Sequence, residues 1–117
     1  MKYLLMLYAD EKAGAVLPKE VIQDFMNRFD AWSEAMKKAG VPNTFEVLHP
    51  TSAATTVRVR DGKKVTTHGP FAETKEQLGG FYIINAKNLD EAIEWAAKCP
   101  GATYGSIEVR PVMEFTN

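Results

Sequence analysis

The side chains best suited to moving a proton near neutral pH are the two histidines, His49 and His68, because an unperturbed imidazole titrates in that range. His68 opens the run His68-Gly69-Pro70-Phe71-Ala72-Glu73-Thr74-Lys75-Glu76. An imidazole there would share one loop with two carboxylates and an ammonium, the parts that general acid or base catalysis on a small molecule needs. This reading makes His68 and Glu73 the candidate catalytic pair, with Arg58, Lys75, Tyr82 and His49 binding or orienting the substrate. Each also has a plain structural role open to it: His68 as an exposed turn residue, Glu73 and Glu76 as caps of a short helical turn. Tyr8, Trp32 and Phe71 are further pocket-lining candidates, although Trp32 falls in a helical stripe that suits a core. Two histidines without neighbouring cysteines or ligand spacing predict no metal centre. Cys99 has no base beside it in sequence, as a nucleophile would require. Gly69, Gly79 and Gly80 match neither the phosphate-loop nor the dinucleotide pattern, so no cofactor is expected.

The elements that must position these groups can be read from periodicity. Lys2 to Ala9 is almost continuously apolar with no helical period, as in a strand buried on both faces. Ile22, Phe25, Phe29, Trp32 and Met36 recur at steps of three and four, one apolar stripe on a helix from about 18 to 39 that starts with Pro18 as its first residue and stops at Gly40. The sequence between them, Asp10 to Leu17, is expected to be a loop. Residues 44 to 48 form a further strand, ended by His49-Pro50. Thr55 to Arg60 and Lys63 to Thr67 flank Asp61-Gly62 as a hairpin. A three-residue Arg60-Asp61-Gly62 loop would pair Val57 with Val65, place His68 opposite Ala54 and keep the valines on one face. A long connection, His68 to Gly80, leads to a strand at 81 to 86. Asn88 then caps a second helix with Leu89, Ile93 and Ala96 or Ala97 facing inward. Cys99-Pro100-Gly101 ends it, and residues 106 to 110 alternate as a last strand.

This order predicts an α+β sandwich of the ferredoxin-like kind, with helices on one face of an antiparallel sheet. Leu4 and Met6 point to one side of the first strand and Tyr3, Leu5 and Leu7 to the other, so the face without helices is also apolar. A monomer would leave that face open. The expectation is a homodimer, sheet against sheet, with a ligand cleft between the two sheets.

Composition limits the partners. The chain of 117 residues is 45% hydrophobic and 25% charged, with one cysteine, which suits one domain, residues 1–117, needing no disulfide staples. Fourteen basic residues against fifteen acidic give a net charge of −1, with no basic excess to favour nucleic acid. No run approaches the roughly 20 apolar residues of a membrane helix, and no secretory signal is readable, so a cytoplasmic location is expected.

The block from His68 to Gly80, continued by Phe81-Tyr82, resembles the signature of the DGPFAETKE (DGPF-type) family, bacterial relatives of the YCII-like proteins. Asn88 to Ala97, Cys99-Pro100-Gly101 and Glu108-Val109-Arg110-Pro111 extend the resemblance over nearly the whole chain. It implies a dimeric α/β barrel built from ferredoxin-like halves, and a regulatory partner linked to alternative sigma factors. The chain departs from the family in having His68 where the motif begins with Asp. YCII-like lyases acting on chlorinated aromatic breakdown products use a His and Asp pair, whose places fall near Phe29 or Asp30 and near Cys99; neither residue type stands at its place. The favoured expectation is a dimer that binds a small molecule or regulates without turnover. The alternative is a lyase or hydrolase with His68 as acid or base in the dimer cleft.

Overall fold

A computed structural model describes residues 1–115. The chain runs β1 (Lys2–Ala9), α1 (Glu11–Ala15), α2 (Lys19–Lys38), β2 (Asn43–Val47), β3 (Thr55–Arg60), β4 (Lys63–His68), β5 (Gln77–Asn85), α3 (Leu89–Lys98) and β6 (Ser106–Pro111). One antiparallel sheet has the order β2-β5-β1-β6, and β3-β4 stands apart as a hairpin. Without the hairpin and the short α1 the order is strand, helix, strand, strand, helix, strand, with β1 and β5 adjacent at the centre, which is the ferredoxin-like arrangement.

The helix ends follow local chemistry. α2 closes in a Schellman motif: the Val41 amide donates to the Met36 carbonyl at 2.8 Å and that of Gly40 to Lys37 at 3.1 Å, with Gly40 at φ +79°. The Asn88 side chain accepts from the Glu91 amide at 2.9 Å, and Glu91 in turn accepts from the Lys87 amide at 2.9 Å, a variant of the capping box. Pro18 is the residue before α2, in extended conformation, one place earlier in the helix frame than expected. The segment expected as a loop contains α1, because the Asp10 carboxylate accepts from the Lys12 amide at 3.0 Å and so starts a short turn of helix.

Three other expectations are corrected. The hairpin turns on two residues, Asp61 and Gly62, both at positive φ (+53° and +74°), so Arg58 pairs with Val65 and Thr55 with His68. Two left-handed residues form the turn whose twist matches its strands. Secondly, β5 begins at Gln77 rather than Phe81, shortening the connection to residues 69–76. Thirdly, α3 turns Ala92 inward together with the expected Ala96, while Leu89 and Ile93 are 46% and 48% exposed. The small alanines let the helix lie close to the sheet.

Tyr3, Leu5, Tyr82 and Ile84 of the sheet meet Trp32, Met36, Val41, Ala92, Ala96 and Cys99 in the core. The Trp32 indole N–H donates to the Trp95 carbonyl at 3.1 Å, which allows a polar atom to be buried without penalty. The opposite face carries Leu4 beside Ile83 and Met6 beside Phe81, with Glu108 and Arg110 of β6 flanking them. These four apolar side chains are half-buried only, and no helix lies over them: the molecule is 18 Å thick against 49 Å in each other direction, which holds one helical and one sheet layer. Its radius of gyration is 16.4 Å, where a compact chain of this length has about 13 Å. The hairpin accounts for the excess by projecting as an arm, with Val57, Val59 and Val65 exposed.

Candidate functional site

The stripe on α2 does not close over its whole length. From Trp32 to Met36 it is sealed against the sheet; from Val21 to Phe29 it stands off and bounds a cleft of about 680 Å³, a size that suits a small-molecule site. Leu7, Phe45, Gly80 and Tyr82 form its floor, α2 one wall, and Ala13, Gly14 and Leu17 a rim. The floor is flat because Phe45 stacks on Tyr82, with centroids 5.0 Å apart and planes 20° from parallel, while Trp32 meets the other side of Tyr82 edge-on at 4.7 Å. Gly80 contributes no side chain, and a Cβ there would lie 3.0 Å from the Glu46 carbonyl oxygen. The bulge at Gly79 separates the Leu7–Gly80 pair from the Tyr8–Leu78 pair, so Gly80 shares the helical face with Tyr82 while Leu78 stays on the open one.

The rim is anchored by charge-assisted bonds. The Glu11 carboxylate accepts from the Thr51 amide at 2.8 Å and the Thr51 hydroxyl at 2.7 Å, and the Glu11 amide donates to Gln77 at 3.0 Å. These bonds fix α1 between β2's exit and the start of β5.

Beyond the cleft, on the sealed part of α2, Ser33 is a buried polar residue that is paired. The Ser33 hydroxyl donates to Asn43 Oδ1 at 2.9 Å, and Asn43 Nδ2 donates back to the Ser33 carbonyl at 3.1 Å. Burial raises the Tyr82 phenol above its ordinary pKa; Ser33 opposes this, and the negative charges of Cys99 thiolate and Asp30 add to it. Burial likewise raises Tyr104 on the far wall and pushes the Cys99 thiol up to about 11, against backbone hydrogen bonds from Gly101 and Ala102. Cys99 is thus a neutral thiol in the core below that pH.

Of the six side chains singled out from sequence, Tyr82 borders this cleft and the other five do not. His68 ends β4, exposed and paired through its backbone with Thr55; His49 lies exposed just after β2. Among the described residues neither imidazole has a hydrogen-bond partner. Arg58 is half-buried on the hairpin, and Glu73 and Lys75 are exposed in the 69–76 connection. Of the further lining candidates, Tyr8 borders the cleft, Trp32 is core, and Phe71 is 80% exposed. Among the described residues no group of three or more His, Cys, Asp or Glu could hold a metal ion, and no helix is long and apolar enough to cross a membrane.

Periodicity places Phe25 in the α2 stripe as a core residue, and it does not mark Phe45, Gly80 or Asp30 as cleft residues. The Gly79-Gly80 pair inside a strand was the available signal, since glycine there marks a bulge or a close approach.

A two-layer ferredoxin-like unit with a cleft beneath its long helix is the class of protein these features define. Residues 1–116 match the YCII-related domain. The chain is also 40% identical over 114 residues to an uncharacterized protein of Rhizobium meliloti (strain 1021), covering 96% of this chain and 92% of that one. The chain belongs to the YCII-related family.

Proposed function

We propose that this protein is a homodimer that binds a small apolar molecule in the cleft of each protomer and does not convert it. The observation that carries the reading is the cleft itself, about 680 Å³ and walled by Phe25, Phe29, Phe45 and Tyr82. An aqueous space bounded by that much aromatic surface favours an apolar occupant. Pairing rests on the open sheet face, where Leu4, Met6, Phe81 and Ile83 have no helix above them; two such faces packed together would give a dimeric α/β barrel. The ligand cleft is then on the helical side of each sheet, and not between the sheets. Binding without turnover also suits the regulatory partner implied by the family resemblance.

A thermal-shift screen of small aromatic compounds on wild type and His68→Ala tests the binding half. Ligands should raise Tm equally in both and be recovered unaltered. Conversion of a ligand by wild type that is lost in His68→Ala would instead establish the enzymatic alternative. Light scattering at micromolar concentration tests the pairing: a dimer is expected, split or unfolded by Met6→Asp. A wild-type monomer refutes it, and a Met6→Asp dimer as stable as wild type would mean that another face is used.

A further inference from the structure

Three charged residues border the cleft, Asp10, Asp30 and Glu46; all are acidic, and no Lys, Arg or His joins them. They are not equivalent. The Asp10 carboxylate is occupied in capping α1, at 3.0 Å from the Lys12 amide. Glu46 pairs with Phe81 while its neighbour Phe45 stacks on Tyr82, so strand alternation sends the Glu46 side chain to the opposite face of the sheet. Asp30 remains. It continues the row Ile22, Met26, Asp30, spaced by four along α2, so a carboxylate stands where a third apolar side chain would have extended the wall. Among the described residues Asp30 has neither an ion-pair nor a hydrogen-bond partner. The basic residue nearest in sequence, Arg28, is tied to Asp24 at 2.9 Å and lies 5.9 Å over the Phe25 ring, and it is not part of the cleft lining.

Aromatic walls and a free carboxylate act on a ligand in the same sense. Ring faces carry negative potential and attract cations, and a concave site lined with charge of one sign focuses its field on the occupant. A carboxylate ligand would meet Asp30 with no compensating base in the lining, whereas an ammonium would be matched by it.

We propose that the cleft selects apolar molecules bearing one positive charge, aromatic amines in their ammonium form, with Asp30 as the residue that sets the preference. This rests on the binding reading above and adds the charge of the ligand to it. The ring system would lie against Phe45 and Phe25, and the cationic end would point towards Asp30.

Three probes of matched shape separate the two claims: naphthylmethylammonium, naphthylmethanol and naphthylacetate, titrated into the full-length protein at low salt and followed by probe fluorescence. The cation should bind about five- to tenfold more tightly than the alcohol, and naphthylacetate more weakly than either. Asp30→Asn should reduce the advantage of the cation to less than about twofold and leave naphthylmethanol unchanged; added salt should act in the same direction. Asp10→Asn, which keeps the helix cap, should leave the order intact. Equal binding of all three probes, or tighter binding of naphthylacetate, overturns the charge preference while the cleft remains a binding site. An unchanged preference in Asp30→Asn removes Asp30 from the role. If none of the three binds, the binding reading itself falls, and this inference with it.

Discussion

The two halves of α2 carry the same kind of sequence and end in different states. Trp32 and Met36 in the C-terminal half are sealed in the core; Ile22, Phe25, Met26 and Phe29 in the N-terminal half look into a cleft. What differs is the opposing surface. Facing the C-terminal half are Tyr3, Ile84, Val41, Ala92 and Ala96, contributed by the sheet, the Schellman turn and a helix whose alanines allow close approach. Facing the N-terminal half are Gly80, the flat Phe45–Tyr82 stack and α1, held at the rim by Glu11. A helical stripe therefore specifies which face turns inward, and the partner surface specifies whether that face closes.

Methionine occurs in both halves, which allows one substitution to be compared at two sites. Met36 is fully buried and Met26 is 56% exposed. Met36→Ala should destabilise the fold by about 2–5 kcal/mol, through lost burial and the cavity left behind. Met26→Ala should cost less than about 1 kcal/mol, yet alter ligand affinity, because Met26 borders the cleft. Urea denaturation of the two variants measures the contrast. Equal losses would mean that the N-terminal half is closed in solution and the cleft is not a standing feature.

The closed half should also respond to alkali, through Cys99. Cys99 belongs to its core, and burial pushes the thiol up to about 11 from an ordinary 9.0. Unfolding releases a thiol that ionises at the lower pH, so the unfolded state binds fewer protons between the two values. Stability is then intact below about pH 9 and lost as pH rises through 11, by at most about 2–3 kcal/mol. Tyr82 and Tyr104, also raised by burial, add a slope of the same sign, so the part due to Cys99 is the difference between wild type and Cys99→Ala. Denaturation midpoints at pH 8, 9, 10 and 11 should converge for the two proteins as pH rises. Parallel curves would place the thiol in water.

Much of the fold was legible because periodicity and caps report local physics. The stripe on α2, Gly40 as its left-handed stop, the Asn88 cap and the alternating last strand each follow from a few neighbouring residues. The hairpin register was not legible from its valines, since that argument assumes a buried face. Val57, Val59 and Val65 are all exposed, so no core selects the register, and the Asp61-Gly62 turn selects it instead. For α3, apolar size suggests Leu89 and Ile93 beside Ala96 on the inward row, whereas the short helix-to-sheet distance turns Ala92 inward with Ala96 and leaves the two larger residues exposed. The cleft was illegible for a further reason. It is set by the separation of α2 from β5, and a sequence pattern has no term for the distance between two elements distant in the chain. Loop residues with titratable side chains, His68, Glu73 and Lys75, stand out through their chemistry, while of the aromatic floor only Tyr82 does so and Phe45 reads as ordinary strand.

The finest test of the comparison lies in the floor, where two adjacent glycines have different surroundings. A Cβ at Gly80 would meet the Glu46 carbonyl oxygen at 3.0 Å, whereas one at Gly79 meets nothing within 4 Å, and neither residue has positive φ. Gly80→Ala must push β2 away from β5 by a few tenths of an ångström, and should cost about 1–2 kcal/mol. It also places a methyl group on the cleft floor beside Tyr82, so ligand affinity should fall as well. Gly79→Ala needs no backbone movement and restricts the unfolded chain, so its stability should stay within about 1 kcal/mol of wild type, on the favourable side. Melting curves and probe titrations on the two variants read both effects. If both glycines tolerate alanine and both variants bind as wild type does, β2 and β5 are free to adjust, and the openness of the N-terminal half does not depend on the missing side chain at Gly80. If Gly80→Ala alone loses both stability and affinity, that position sets the strand spacing and keeps the floor of the cleft clear.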